Sequence, residues 1–321
     1  RGPLTFENVW LNWLPGGNDN SLQMGNHLLV LGKKGVADDV ILSTNLNTSA
    51  KPMFTASNMI VNGCAIGTIR THTWVQSGTQ TLSSMNFTYN EGSSFGTISQ
   101  GWGGASDVTV TGDVNITVNG GKAYAGFRPF ATDRPLNING NFTLTITGGD
   151  FSALNEKTIV ARGNTTAVKG KAILNALDYS GDGEALLKKI DQSTFDVLEV
   201  NTIYLSSASG DDANTGASTA PVASIKRAVG LLTEVPAGGN PNASYSGKIV
   251  VLDYTSEGNE EKASSGSEIL IVGATKDSTI TIEDGAFLKL AGLNARFKNI
   301  TFAVNSTERA GIDAGGGKLT M

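Results

Sequence analysis

Four short strand-forming stretches, each opened by asparagine and closed by glycine, recur at a nearly fixed interval. That interval constrains the fold more than any other feature of the chain. The stretches are Asn58-Met-Ile-Val-Asn-Gly, Asn86-Phe-Thr-Tyr-Asn-Glu-Gly, Asn115-Ile-Thr-Val-Asn-Gly-Gly and Asn141-Phe-Thr-Leu-Thr-Ile-Thr-Gly-Gly, and their leading asparagines lie 28, 29 and 26 residues apart. Each alternates apolar and polar residues with the period of two that marks a strand with one buried face. Each is followed, a few residues on, by a second strand-like piece: Thr68-Ile69, Phe95–Ile98, Tyr124–Phe127 and Phe151–Leu154. A shared element at a period in the twenties marks a solenoid, in which each repeat stacks only on its neighbours. Helical periodicity is nearly absent before residue 170, so the coils must be built of strands.

Composition narrows the function classes. Charged residues make up 17% of the 321 positions and glycine takes 40 of them, against about 25% charged residues in an ordinary soluble domain. The formal charge of -5 argues against nucleic acid, whose readers cluster Lys and Arg on one face. No apolar run approaches the ~18 residues of a membrane helix. The single cysteine, Cys64, cannot close an internal disulfide, and two histidines leave little for a zinc site. The chain opens on Arg1 and ends at Leu-Thr-Met321, early in a strand-like run, which reads as a segment of a longer protein.

The same alternation returns near the end, in Lys248–Leu252, Glu268–Gly273, Ser278–Ile282, Phe287–Gly292 and Phe297–Phe302. Between the two strand-rich stretches, about 171–243, lie two helical candidates. One is Ala185–Ile190. The other is Ser224–Leu232, with Ile225, Ala228, Val229 and Leu232 at i, i+3, i+4, i+7 and Pro221 just ahead of it. Because a solenoid needs its open ends covered, Thr165–Gln192 is expected to close a first body and Pro221–Leu232 to open a second. The expected domains are residues 1–197 and 198–321. Phe6-Glu-Asn-Val also matches Phe297-Lys-Asn-Ile, consistent with a divergent tandem repeat or with the common grammar of all such coils.

The segment Ile203–Val229 resembles the opening of right-handed parallel β-helix proteins of the pectin-lyase-like type, found in secreted and surface-anchored bacterial proteins. The matched positions are Tyr204, Gly210, Asp211, Asp212, Asn214, Gly216, Ser218, Pro221, Ser224, Ile225 and Ala228. The resemblance implies an all-β right-handed parallel β-helix whose first coil is capped by an amphipathic helix. It leaves the function open, because the family includes polysaccharide lyases, hydrolases, adhesins and structural rods.

Lyases of that family carry a carboxylate cluster for calcium and a basic residue on one strand face, and no such cluster is legible on the coils. The one basic and aromatic set expected on a common face is Arg70, His72 and Trp74, either a carbohydrate platform or, more simply, an exposed ladder of long side chains. Arg128, Asp133 and Arg134 read as a solvated charged loop. Asp178-Tyr-Ser-Gly-Asp182-Gly copies the first half of an EF-hand loop but has Lys189 where the bidentate Glu belongs; Asp211, Asp212 and Asn214 form a second calcium candidate, which also lacks a terminal acid. Both loops also suit ordinary turn and helix-start chemistry. The four tryptophans, Trp10, Trp13, Trp74 and Trp102, are expected mainly to be buried. Sequons such as Asn86, Asn115, Asn141 and Asn299 are better explained by asparagine ladders facing inward.

No catalytic residue, cofactor or catalytic metal is expected. The expected function is a non-enzymatic, secreted or cell-surface structural or adhesive module. Its expected partners are other copies or repeats of itself, joined end to end or side by side, together with surface glycans. The alternative is a carbohydrate-binding or polysaccharide-degrading β-helix domain.

Overall fold

The computed structural model describes residues 2–11, 22–42, 54–70, 78–99, 105–124, 135–163, 165–235, 240–256, 268–290, 293–307 and 311–321. Every pairing between strands in these residues is parallel. The fold is a parallel β-solenoid. It divides into two compact units, Arg1–Asp196 and Val197–Met321.

In the first unit a fully described coil has three straight sides. Met85–Tyr89, Ser94–Ser99 and Ala105–Val110 make one circuit, and Val114–Val118 then lies in register on Met85–Tyr89. Side one stacks Leu4–Phe6, Leu22–Leu31, Phe54–Val61, Met85–Tyr89, Val114–Val118, Phe142–Ile146 and Ala172–Asn175. Side two carries Val9–Leu11 on Val40–Leu42, and Ala65–Arg70, Ser94–Ser99 and Lys122–Ala123, Val40 being bridged to Cys64. Side three stacks Gly78–Leu82, Ala105–Val110, Leu136–Ile138 and Thr166–Val168.

Alternation decides what enters the core. Phe87, Ile116, Leu144 and Leu174 form one inward column across four coils, and all four are buried. Each such side chain contributes roughly 1.5–3 kcal/mol by leaving water. The intervening Asn86, Thr88, Asn115, Thr117, Thr143 and Thr145 point out. At the corner between sides one and two, Gly92, Gly121 and Gly149 adopt φ of 84°, 87° and 110°, a region that side chains bearing a Cβ avoid. On side two, a Cβ on Gly96 would clash with the Gly67 carbonyl oxygen of the preceding coil, so these coils approach too closely there for any other residue.

In the first unit the core also holds a phenol without a hydrogen-bond partner among the described residues. Tyr89 is fully buried, its ring stacked on Phe95 at 4.4 Å and 25°, yet its hydroxyl has no hydrogen-bond partner among the described residues. Desolvation pushes this phenol well above its ordinary range. An orphaned buried hydroxyl costs about 1–3 kcal/mol, so Tyr89→Phe is expected to raise the stability of the first unit by about 1 kcal/mol. A urea midpoint that rises without a change in slope would record it.

Two expectations need correction here. The leading asparagines are not four equivalents: Asn58 pairs with Asn86 and Asn86 with Asn115, but Asn115 pairs with Thr143. Asn141 precedes its strand, where its N–H donates to the Asp113 carboxylate at 2.8 Å and its Oδ1 accepts the Lys171 N–H at 2.9 Å. Asn58, Asn86 and Asn115 also face outward rather than inward. Second, Thr165–Gln192 is not wholly a closing segment, because Thr166–Val168 completes the coil begun by Phe142–Ile146 and Ala172–Asn175 begins another. Helix α1 (Gly183–Lys189) follows that coil. Its flank buries Leu186 and Ile190, and Ile190 bridges in parallel to Ile159.

The second unit opens with the strand Val197–Ser206, on which Ser244–Ser256 stacks, followed by Ile269–Gly273, Ala295–Lys298 and Leu319–Thr320. A second side carries Thr279–Glu283 and Thr301–Asn305, and a third Phe287–Lys289 and Gly311–Asp313. Helix α2 (Ile225–Thr233) lies between the first two strands in sequence. The Ser224 side chain accepts the Arg227 N–H at 3.1 Å, an N-cap that ends the preceding extended stretch. Ile225, Ala228, Val229 and Leu232 are buried in the same cluster as Leu205, Ile249, Val251 and Ile271. Pro221 sits outside the helix rather than opening its first turn; its carbonyl accepts the Asp211 N–H and the Asn214 amide.

Candidate functional site

The most regular chemistry on the molecule is a pair of polar ladders running along the stack of the first unit. On the outward surface of side one, Asn58 Nδ2 donates to the Asn26 carbonyl at 2.9 Å. Asn86 Nδ2 then donates to Asn58 Oδ1 at 2.7 Å, and Asn115 Nδ2 to Asn86 Oδ1 at 3.0 Å. At the corner, a second ladder runs from the Gly32 carbonyl through Asn62, Asn90 and Asn119 to Thr147, with links of 2.8, 2.7, 2.9 and 3.0 Å. Asn62 and Asn90 are buried. A carboxamide offers both donor and acceptor, so a column of them satisfies itself coil after coil. These groups bond coil to coil, and a carboxamide is neither an acid, a base nor a nucleophile.

The sequence-selected residues divide into those placed and those not. Arg70 ends the strand Ala65–Arg70; its side chain, together with His72 and Trp74, lies outside the described residues. So do Arg128, Asp133, Arg134, Trp13 and Trp102. Asp178 and Asp182 are both exposed, and Asp182 Oδ1 accepts the Ala185 N–H at 3.1 Å at the start of α1. Asp212 Oδ1 accepts the N–H groups of Ala223 and Ser224, each at 2.9 Å, while Oδ2 accepts the Ser224 hydroxyl at 2.6 Å. Asp211 Oδ1 takes the Ala213 N–H at 2.9 Å, and Asn214 Nδ2 reaches the Pro221 carbonyl at 2.8 Å. The loop is thus folded around its own polar groups, and Asp212 ties it to the cap of α2. Trp10 departs from the expected burial. It is 69% exposed, and its partner across the strand pair, Ile41, is 52% exposed.

Three ionisable arrangements were not legible in the sequence. Arg162 and Asp196 form an ion pair. Burial would lift the Asp196 carboxyl, but the hydrogen bonds from Arg162 and the Ala172 N–H outweigh it and leave it below the usual range. A depressed carboxyl adds stability that is present above its unfolded value and lost as pH falls through the folded one. The stability difference between the parent and Arg162→Gln should therefore be full at neutral pH and shrink below about pH 4. Chemical melts of both proteins across that range would measure it.

In the second unit, Glu199 is half-buried. Burial and the neighbouring Glu268 push its carboxyl up, with Arg296 opposing them. Arg296 Nε lies 3.2 Å from Glu268 Oε1. The third arrangement is the Cys64 thiol, pushed up to about 12 by burial and then by Asp38. The thiolate is the reactive form, so Cys64 should stay unmodified by a thiol reagent in the native protein and react fully once the first unit unfolds. Rapid modification under native conditions would contradict the packing of side two.

No family model, no curated protein and no solved structure matches the chain.

Proposed function

We propose that the chain is a non-enzymatic structural or adhesive module, secreted or held at the cell surface, and part of a long repetitive stalk or filament. The observation that carries this reading is where the polar side chains go: in the two asparagine ladders each rung bonds one coil to the next. Coils spaced about 4.7–4.9 Å apart and hydrogen-bonded along the stack give a body that is stiff and lengthened by adding repeats. The local order of strand, Asp-Asn-Gly loop, Pro221 and α2 supports the pectin-lyase-like resemblance of that segment. Further copies or repeats of the same coils are the partners this reading proposes.

Incubation with neutral and uronic-acid polysaccharides should release neither reducing ends nor unsaturated products. Product formation that Arg70→Ala or Glu199→Gln abolishes would replace this reading with an enzymatic one. A glycan-binding role has one observation in its favour, the outward ring of Trp10 beside Ile41. Retention on a glycan array that is lost in Trp10→Ala would support it.

A further inference from the structure

We propose that the outward surface of side one in the first unit binds a neutral, periodic water lattice, the surface of an ice crystal. Its centre is a grid two columns wide. Asn86, Asn115 and Thr143 form one column, and Thr88, Thr117 and Thr145 the other, each in register from coil to coil. Rows repeat at the inter-strand distance of about 4.7–4.9 Å, and columns at about 6.6 Å, two residues of a parallel strand. Oxygen rows on faces of hexagonal ice repeat on the same scale in two perpendicular directions.

Four properties favour this occupant over others. The grid is rigid: Asn86 and Asn115 are fixed by their ladder at 2.7 and 3.0 Å, and threonine is stiff at χ1. It therefore presents its polar groups already ordered, and little entropy is lost on ordering water against them. The six positions carry no charge, so an ionic polymer or mineral finds no complementary field. None of the six is aromatic, so a sugar ring finds no stacking partner there. A grid only two columns wide is also far smaller than the ~800 Å² per partner of a stable protein interface, which disfavours a second copy.

The test compares the parent chain, Thr117→Lys and Thr109→Lys, the last placing the same charge outward on side three. Freezing hysteresis and inhibition of ice recrystallisation would be measured, with circular dichroism and thermal melts confirming that all three proteins are folded. The proposal predicts activity in the parent and in Thr109→Lys, and its loss in Thr117→Lys. A parent without either activity overturns it, as does a Thr117→Lys variant as active as the parent. Retention on crystalline cellulose or chitin that Thr117→Lys abolishes, without any effect on ice, assigns the grid to a polysaccharide and also overturns it. None of these outcomes bears on whether the chain is an enzyme.

Discussion

Asn90→Ala should destabilise the first unit by about 2–4 kcal/mol. Asn90 is the middle rung of the corner ladder, buried, donating to Asn62 at 2.7 Å and accepting from Asn119 at 2.9 Å. Truncation removes two hydrogen bonds, each worth about 1 kcal/mol net. It also strands the Oδ1 of Asn62, a buried residue whose amide still reaches the Gly32 carbonyl. An acceptor left without a partner in the interior costs about 1–3 kcal/mol more. Asn119 is exposed and can turn to water, so its share of the cost is smaller. The same truncation at Asn115, whose ladder is open to solvent, should cost under about 1 kcal/mol. A difference between the two sites of less than a few tenths of a kcal/mol would mean that the corner ladder does not hold the coils.

Ile225→Asp should unfold the second unit or leave it molten. Ile225 is 1% exposed and shares a cluster with Val222, Leu205 and Val251. A carboxylate placed there loses its hydration and gains no partner, at a cost of several kcal/mol. That is a large part of the 5–15 kcal/mol that holds a typical domain. The apolar end of the core would then be exposed, and the variant should associate in light scattering. Cys64, which lies in the first unit, should remain as unreactive as in the parent. Asn90→Ala should do the reverse, raising Cys64 reactivity while leaving the near-native signals of the second unit. If Ile225→Asp melts like the parent and stays monodisperse, α2 does not seal the core.

Much of this architecture was readable because a coil writes itself into the sequence with two periods at once. The period of two in Val114–Val118 gives the strand and its buried face. The spacing in the twenties gives the stacking. The register went astray at one place for an identifiable reason. Asn86-Phe87 and Asn141-Phe142 look alike, yet Phe142 takes the core position of Met85 and Val114, not that of Phe87. The polar residue that closes each strand, Asn62, Asn90, Asn119 or Thr147, was the better marker, because it occupies a corner that every coil must turn. Residues 166–175 read as a closing segment because their strands are only three and four residues long, too short for alternation to announce itself. The Arg162–Asp196 and Glu199–Glu268–Arg296 groupings join residues from different coils, and nothing in the local sequence pairs them.

The central claim, that successive repeats of the first unit are successive coils in one register, can be tested by dipolar distances between spin labels. Val30, Ile60, Thr88, Thr117, Thr145 and Asn175 form one outward column. In a Cys64→Ala background, labels at Val30 and Thr145 are four coils apart, as are labels at Ile60 and Asn175; those at Val30 and Asn175 are five apart. At about 4.8 Å per coil, the backbones are separated by about 19 Å in the first two pairs and about 24 Å in the third. The account predicts equal mean distances for the first two and an increment of about one coil for the third. Unequal distances in the first two pairs, or no increment in the third, would contradict it.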